Sequence, residues 1–218
     1  MALIVLPGCV YLRLLDLRDQ CADFDRHLIL GPGPGLGIEF RHPVLRTGDV
    51  DLLLGAVPSA TARYPGGQVD VWAFQRREHA RTGYPPLLVT VRQEAGRVVA
   101  MDLPQEMARV VPPALLRAGL RALGRARVDM AARRLDAAVL HQPGIPPAPT
   151  LPEVIQVLGP ADVMLDRGQD GIRAIWRYSV GSPSSAPCAL AVEVRPGSSR
   201  LNRVIVSVNG LWGYLDLP

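Results

Sequence analysis

The side chains that carry most enzyme chemistry are scattered in this sequence. Its four histidines are His27, His42, His79 and His141. None stands in an HxxxH or HxH arrangement, or at a cysteine–histidine spacing that would hold a metal ion. The three cysteines, Cys9, Cys21 and Cys188, are too widely separated for a zinc site, and their odd number leaves at least one outside any intramolecular disulfide. No serine occupies a GxSxG elbow, the turn that raises a nucleophile above a sheet. The acids Asp49/Asp51 and Asp162/Asp166 read as helix-cap or loop residues, with nothing beside them to raise a carboxyl pKa. The glycines of "GPGPG" (31–35) fit neither GxGxxG nor a Walker loop, and the prolines remove amide donors that a phosphate cradle needs. The expectation is a protein that is not an enzyme, with no cofactor and no metal.

One residue does suggest chemistry. In "MALIVLPGCVYL" an apolar run, Ala2 to Leu6, precedes Pro7, Gly8 and Cys9. An apolar stretch followed by a small residue and cysteine resembles the lipobox of bacterial lipoproteins, whose cysteine thiol takes a diacylglyceryl group. The resemblance implies lipid attachment at Cys9, with residues 1–8 as a truncated signal segment. The run is shorter than a signal h-region of about 7–15 residues and has no basic flank, which a start codon assigned too far downstream would explain. The alternative is an edge strand over Ala2 to Leu6 and an ordinary thiol at Cys9.

Composition narrows the rest. The hydrophobic share of 48% excludes a disordered chain, and no apolar run approaches the roughly 18 residues of a spanning helix. All 24 basic residues are arginine, the signature of a GC-rich genome, and a net charge of +4 spread along the chain gives no nucleic-acid footprint.

The positioning elements follow from periodicity. "YLRLLDLRDQCADF" is an amphipathic helix in which Cys21 serves as a small apolar residue. "FDRHLIL" and "GLGIEFRH" flank the Gly/Pro cluster as a hairpin. The next feature is a repeat. A shift of 104 residues brings Val50 onto Val154, Gly55 onto Gly159, Gly67 onto Gly171, Trp72 onto Trp176 and Phe74 onto Tyr178. Each copy opens with a short helix, "TGDVDLLLG" or "LPEVIQVLG", stopped by glycine at a C′ position. Strand segments follow at 60–64, 68–76, 86–93 and 97–103, and again at 161–165, 172–180, 187–195 and 202–208. Between the copies, 112–140 reads as one long helix with Leu116, Leu120 and Leu123 on one stripe and Arg117, Arg121 and Arg125 on another. That basic stripe is either a solvated face or a contact for anionic headgroups or an acidic partner.

The fold class expected from these elements is α+β. Two tandem repeats each pack a helix or helix pair on an antiparallel β-meander, after an N-terminal helix and hairpin. The expected organisation is residues 9–110 for the N-terminal elements and first repeat, 111–149 for the connecting helix and linker, and 150–218 for the second repeat. Through Leu54, Gly55, Trp72 and Phe74, and through Leu158, Gly159, Trp176 and Tyr178, the chain resembles the BamE/SmpA-type outer-membrane lipoproteins. These share a fold with the tandem-repeat β-lactamase inhibitor protein. The resemblance implies a non-catalytic lipoprotein of the bacterial cell envelope, held on the periplasmic side of the outer membrane through acylated Cys9. Without a lipobox the compartment would be cytoplasmic. Its expected partner is an envelope protein rather than nucleic acid, and the expected contact is aromatic, from Trp72, Phe74, Trp176 and Tyr178, with Trp72 on the wetter face. The alternatives are a soluble inhibitor-like module, or a lipid or small-molecule carrier with a pocket between sheet and helices.

Overall fold

A computed structural model describes residues 8–31, 35–77, 84–180 and 187–218. The signal-segment reading of residues 1–8 and the expectation for His79 fall largely or wholly outside that range. The chain opens with α1 (Gly8–Ala22) and a single helical turn, α2 (Phe24–His27). A hairpin follows, β1 (Leu28–Leu30) and β2 (Leu36–Phe40), paired Leu28 to Phe40 and Leu30 to Ile38. The first residues expected in β1 belong instead to α2, where Asp25 begins the turn and Arg26 and His27 end it, the charge order a helix dipole favours.

From here a short helix and four strands occur twice. The first set is α3 (Asp49–Leu54), β3 (Ala60–Tyr64), β4 (Gly67–Arg76), β5 (Leu87–Glu94) and β6 (Arg97–Leu103). The second, reached after α4 (Pro113–Gly124), β7 (Arg127–Asp129) and β8 (Arg134–Ala138), is α5 (Leu151–Leu158), β9 (Val163–Asp166), β10 (Ile172–Val180), β11 (Cys188–Val194) and β12 (Leu201–Val208). A last strand, β13 (Leu211–Asp216), follows a tight turn at Asn209-Gly210.

This arrangement corrects the α+β expectation of separate helix-on-meander repeats. Strands hold 43% of the chain against 26% in helices, and among the described residues the strands form one mixed sheet of 13. Its main path runs β1-β2-β6-β5-β4-β10-β11-β12-β13-β8-β7, with β3 beside β4 and β9 beside β10. The join is physical and local. Both β4 and β10 outrun their hairpin partners, and their free ends pair antiparallel, Phe74 with Val180 and Arg76 with Tyr178. Two edges that would otherwise expose unpaired amides cover one another. One hydrophobic cluster spans the join, containing Trp72, Val91, Trp176, Val180 and Val192.

The long helix expected over 112–140 is corrected as well. It ends at Gly124, because the chain there crosses the end of α1 at contact distance. A Cβ on Gly124 would stand 2.0 Å from the Ala22 amide nitrogen, so only glycine fits. Beyond it the period changes from helical to alternating. Leu135 and Ala137 turn inward while Arg134 and Asp136 turn out, and β8 lies parallel to β13, Leu135 beside Gly213. The second short helix also ends differently from the first. Gly55 takes the left-handed conformation, but Gly159 combines φ 76 with an extended ψ of 179.

An ion pair fixes α1 to α3. Arg13 donates from Nε to Asp49 Oδ2 at 2.7 Å and from Nη2 to Oδ1 at 2.5 Å, while the Arg46 amide donates to Oδ2 at 2.7 Å. Burial pushes the Asp49 carboxyl up, but these bonds and the charges of Arg13 and Arg46 outweigh it and hold the group below its ordinary value. A depressed folded pKa contributes stability above the unfolded pKa, about 3.9, and that contribution is lost as pH falls through the folded value. Asp49→Asn should therefore lower the urea midpoint at pH 7. The difference from wild type should begin to shrink below about pH 4 and level off only below the depressed folded value, where both carry an uncharged side chain. A difference independent of pH would show that the pair acts only through shape.

Candidate functional site

One face of the sheet is covered by helices, but the cover is incomplete at the β12–β13–β8 end. A groove of about 840 Å³ remains there between α1, α4 and the sheet. Its first wall comes from α1, where Tyr11, Leu14, Leu15 and Arg18 recur at helical spacing on one side. Its second comes from α4, through Leu120 and Leu123. The floor is a cross-strand row: Val206 of β12 lies beside Gly213 of β13, Gly213 beside Leu135 of β8, and Leu135 beside Val128 of β7. Gly213 puts no side chain into this row, which deepens the groove. The nearest non-neighbouring atom to a Cβ built there is the Val206 carbonyl oxygen, at 4.0 Å.

The walls are apolar and reachable from solvent. Val206 is 42% exposed although it lies on the covered face of the sheet, and Met130 at the mouth is 56% exposed. Large apolar side chains left open together mark binding surfaces, whereas isolated ones carry no meaning. The volume falls in the range of small-molecule sites, roughly 300–1,000 Å³. Arginines 18, 133 and 134 line the groove with one acid, Asp129. Cys21, also on the wall, has its thiol pushed up to about 11 by burial, so it is a protonated apolar lining and not a nucleophile.

Comparison with family models, curated proteins and solved structures found no match.

The residues expected to meet a partner lie elsewhere. Trp72 is 1% exposed and Trp176 0%, Tyr178 is buried and Phe74 half-buried, and none of the four lines the groove. The expectation that Trp72 sits on the wetter face is therefore corrected: the polar residues around it bond to groups of the fold. Asp70 accepts from Thr61 at 2.6 Å and Gln68 at 2.7 Å, and also from Gln93. Arg76 donates to the carbonyls of Leu158 and Pro160 and to Asp162. Burial pushes the Tyr178 phenol up to about 12, against the pull of Arg76. Cys9 lies in the first turn of α1 by its backbone, and its side chain is outside the described residues.

The other candidate groups stay dispersed. His27 and His42 approach, Nδ1 to Nδ1 at 3.1 Å, but among the described residues no three His, Cys, Asp or Glu side chains could hold a metal ion together. The stripe of Arg117, Arg121 and Arg125 borders a second cleft, of about 830 Å³, on another side of α4. With Arg127 it makes four positive charges there against Asp23, Asp25, Asp136 and Asp216, so this cleft has no net charge to draw an anion. Arg121 is already paired with Asp25, and Arg117 lies over the Phe24 ring.

The groove was hidden from sequence reasoning because its floor passes through β13, beyond a meander expected to end at residue 208, and through β7 and β8, in a stretch expected to be helix. A signal for it exists. Asn209-Gly210 between two alternating segments is a hairpin turn, and it places Leu211, Gly213 and Leu215 on the same face as Val206.

Proposed function

We propose that this protein is a non-catalytic binding protein that holds the apolar chain of an amphiphile in the groove between α1, α4 and the end of the sheet. The observation that carries the reading is a deep apolar groove whose floor residue Val206 remains open to solvent. Burying an alkyl chain there removes apolar surface from water on both partners, worth about 25 cal/mol per Å² before the costs of association. The lipobox resemblance at Cys9 supports a place in the bacterial cell envelope, where such ligands occur. The protein-partner reading loses its support, since the aromatic side chains it relied on are interior.

Gly213 provides the test. It has no positive φ, and a Cβ built there meets only the Val206 carbonyl oxygen, at an ordinary contact distance, so Gly213→Phe directs a ring into the groove from its floor. Delipidated wild-type protein titrated with cis-parinaric acid should show saturable binding of one equivalent. Gly213→Phe should weaken it by about tenfold or more, equivalent to about 1.4 kcal/mol, with its thermal midpoint retained. Equal affinity in a folded Gly213→Phe protein would remove the groove from consideration.

A further inference from the structure

We infer that the groove selects amphiphiles with an anionic head, and that Arg133 is the residue that reads the head; this rests on the reading of the groove as a chain-binding site. Three arginines line the groove, and two of them are already engaged with carboxylates. Arg18 is paired with Asp19, and Arg134 is paired with Asp136 and lies 4.2 Å over the Tyr214 ring. Arg133 has no carboxylate partner among the described residues. Its guanidinium makes one hydrogen bond, from Nη2 to the Asn209 carbonyl at 3.2 Å, which leaves most of its donors unused. Asp129, the acid at the same mouth, accepts from the Ala132 amide at 3.0 Å within the β7–β8 turn.

The backbone supplies the second observation. Arg133 has φ 51, the left-handed region, where its Cβ is sterically disfavoured and glycine or asparagine is the usual choice. The conformation ends the β7–β8 turn and leaves the Arg133 carbonyl to accept from the Trp212 amide at 2.9 Å, so β13 fixes it in place. Backbone strain retained at the mouth of a cavity is a mark of ligand clamps. An arginine here costs stability that glycine would restore, while its charge lies where the head of a chain in the groove would emerge. A guanidinium suits either a carboxylate or a phosphate, because its planar donor fork matches two oxygens at once. The ligand class is therefore a free single-chain anionic amphiphile.

The test is calorimetric titration of delipidated wild type, Arg133→Gly and Arg133→Asn with dodecanoate, dodecyl phosphate and 1-dodecanol. Wild type should bind both anions about tenfold or more tightly than the alcohol. Both variants should lose that preference while binding 1-dodecanol as wild type does, and the thermal midpoint of Arg133→Gly should equal or exceed that of wild type. If the chains bind but anions gain nothing, or if Arg133→Gly keeps the preference, the head-group inference is overturned and the groove reading stands. If none of the three probes binds, both are overturned. Recruitment to phosphatidylglycerol vesicles without binding of free dodecanoate would replace the free amphiphile with a membrane surface, and would also overturn the inference.

Discussion

Trp176→Ala lowers the unfolding free energy by about 3–5 kcal/mol, and Trp72→Ala lowers it by a similar amount. Both indoles are essentially without solvent contact, 0% and 1% exposed, so truncation leaves a cavity that the surrounding sheet closes only in part. Each also loses a specific bond. Trp176 Nε1 donates to the Gly159 carbonyl at 2.9 Å and Trp72 Nε1 to the Ala56 carbonyl at 3.2 Å. Those carbonyls stand just beyond the ends of α5 and α3, so each indole pins the end of a short helix to the sheet. Removing the donor orphans an acceptor next to the cavity and adds to the cost. Urea unfolding followed by far-ultraviolet circular dichroism measures the effect without relying on tryptophan emission. A loss below about 1 kcal/mol at either position would contradict a fully packed indole.

The second large effect is at the join between β4 and β10. Arg76 and Asp162 are paired at 2.5 Å with side chains 4% and 0% exposed. Arg76 also donates from Nη1 to the Leu158 carbonyl at 2.9 Å, which closes the end of α5, and Asp162 Oδ2 accepts from the Arg177 amide at 2.6 Å. Asp162→Ala removes a carboxylate that pairs with the buried Arg76 guanidinium and should cost about 3–5 kcal/mol. Arg76→Met together with Asp162→Ala should cost less than Asp162→Ala alone, because the buried guanidinium is then removed with its carboxylate. A double-mutant cycle reads the difference directly. Strict additivity of the two single losses would mean that the pair is not coupled.

These two sites show what was legible in the sequence and what was not. The periodicity of 67–76 and 172–180, the short helices with their trailing glycines, and the hairpin around residues 31–35 are local signals, and the structure places strands or helices at each. The continuous sheet depends on pairing between Phe74–Arg76 and Tyr178–Val180, more than a hundred residues apart in sequence, and no local pattern specifies such a contact. Polar residues beside Trp72 misled for a related reason. Gln68, Asp70 and Arg76 read as a wet face. Yet Gln68 donates to Asp70 along the strand, Asp70 also accepts from Thr61 and Gln93 on neighbouring strands, and Arg76 donates to the Leu158 and Pro160 carbonyls. Of these contacts only the last lie far away in sequence. In the stretch 125–140, Arg and Ala favoured a helix by propensity, while the close crossing at Gly124 and pairing of β8 with β13 imposed a strand. At the groove, the α4 wall was legible in the stripe of Leu116, Leu120 and Leu123, of which Leu120 and Leu123 line it, whereas on α1 the apolar side read from Leu12, Leu15 and Ala22 contributes only Leu15. The floor was not legible, because the row Val206–Gly213–Leu135 joins three strands through one antiparallel and one parallel pairing.

Photo-crosslinking tests the central claim most directly. A fatty acid carrying a diazirine in its alkyl chain, bound to the delipidated protein, irradiated and mapped by peptide mass spectrometry, should mark residues 11–21 of α1, residues 120–123 of α4 and residues 206–213 across the β12–β13 turn. Gly213→Phe should erase those adducts while leaving the protein folded. Adducts scattered over the outward face of β10 and β11, or labelling that Gly213→Phe leaves unchanged, would contradict the assignment of the groove as the binding site.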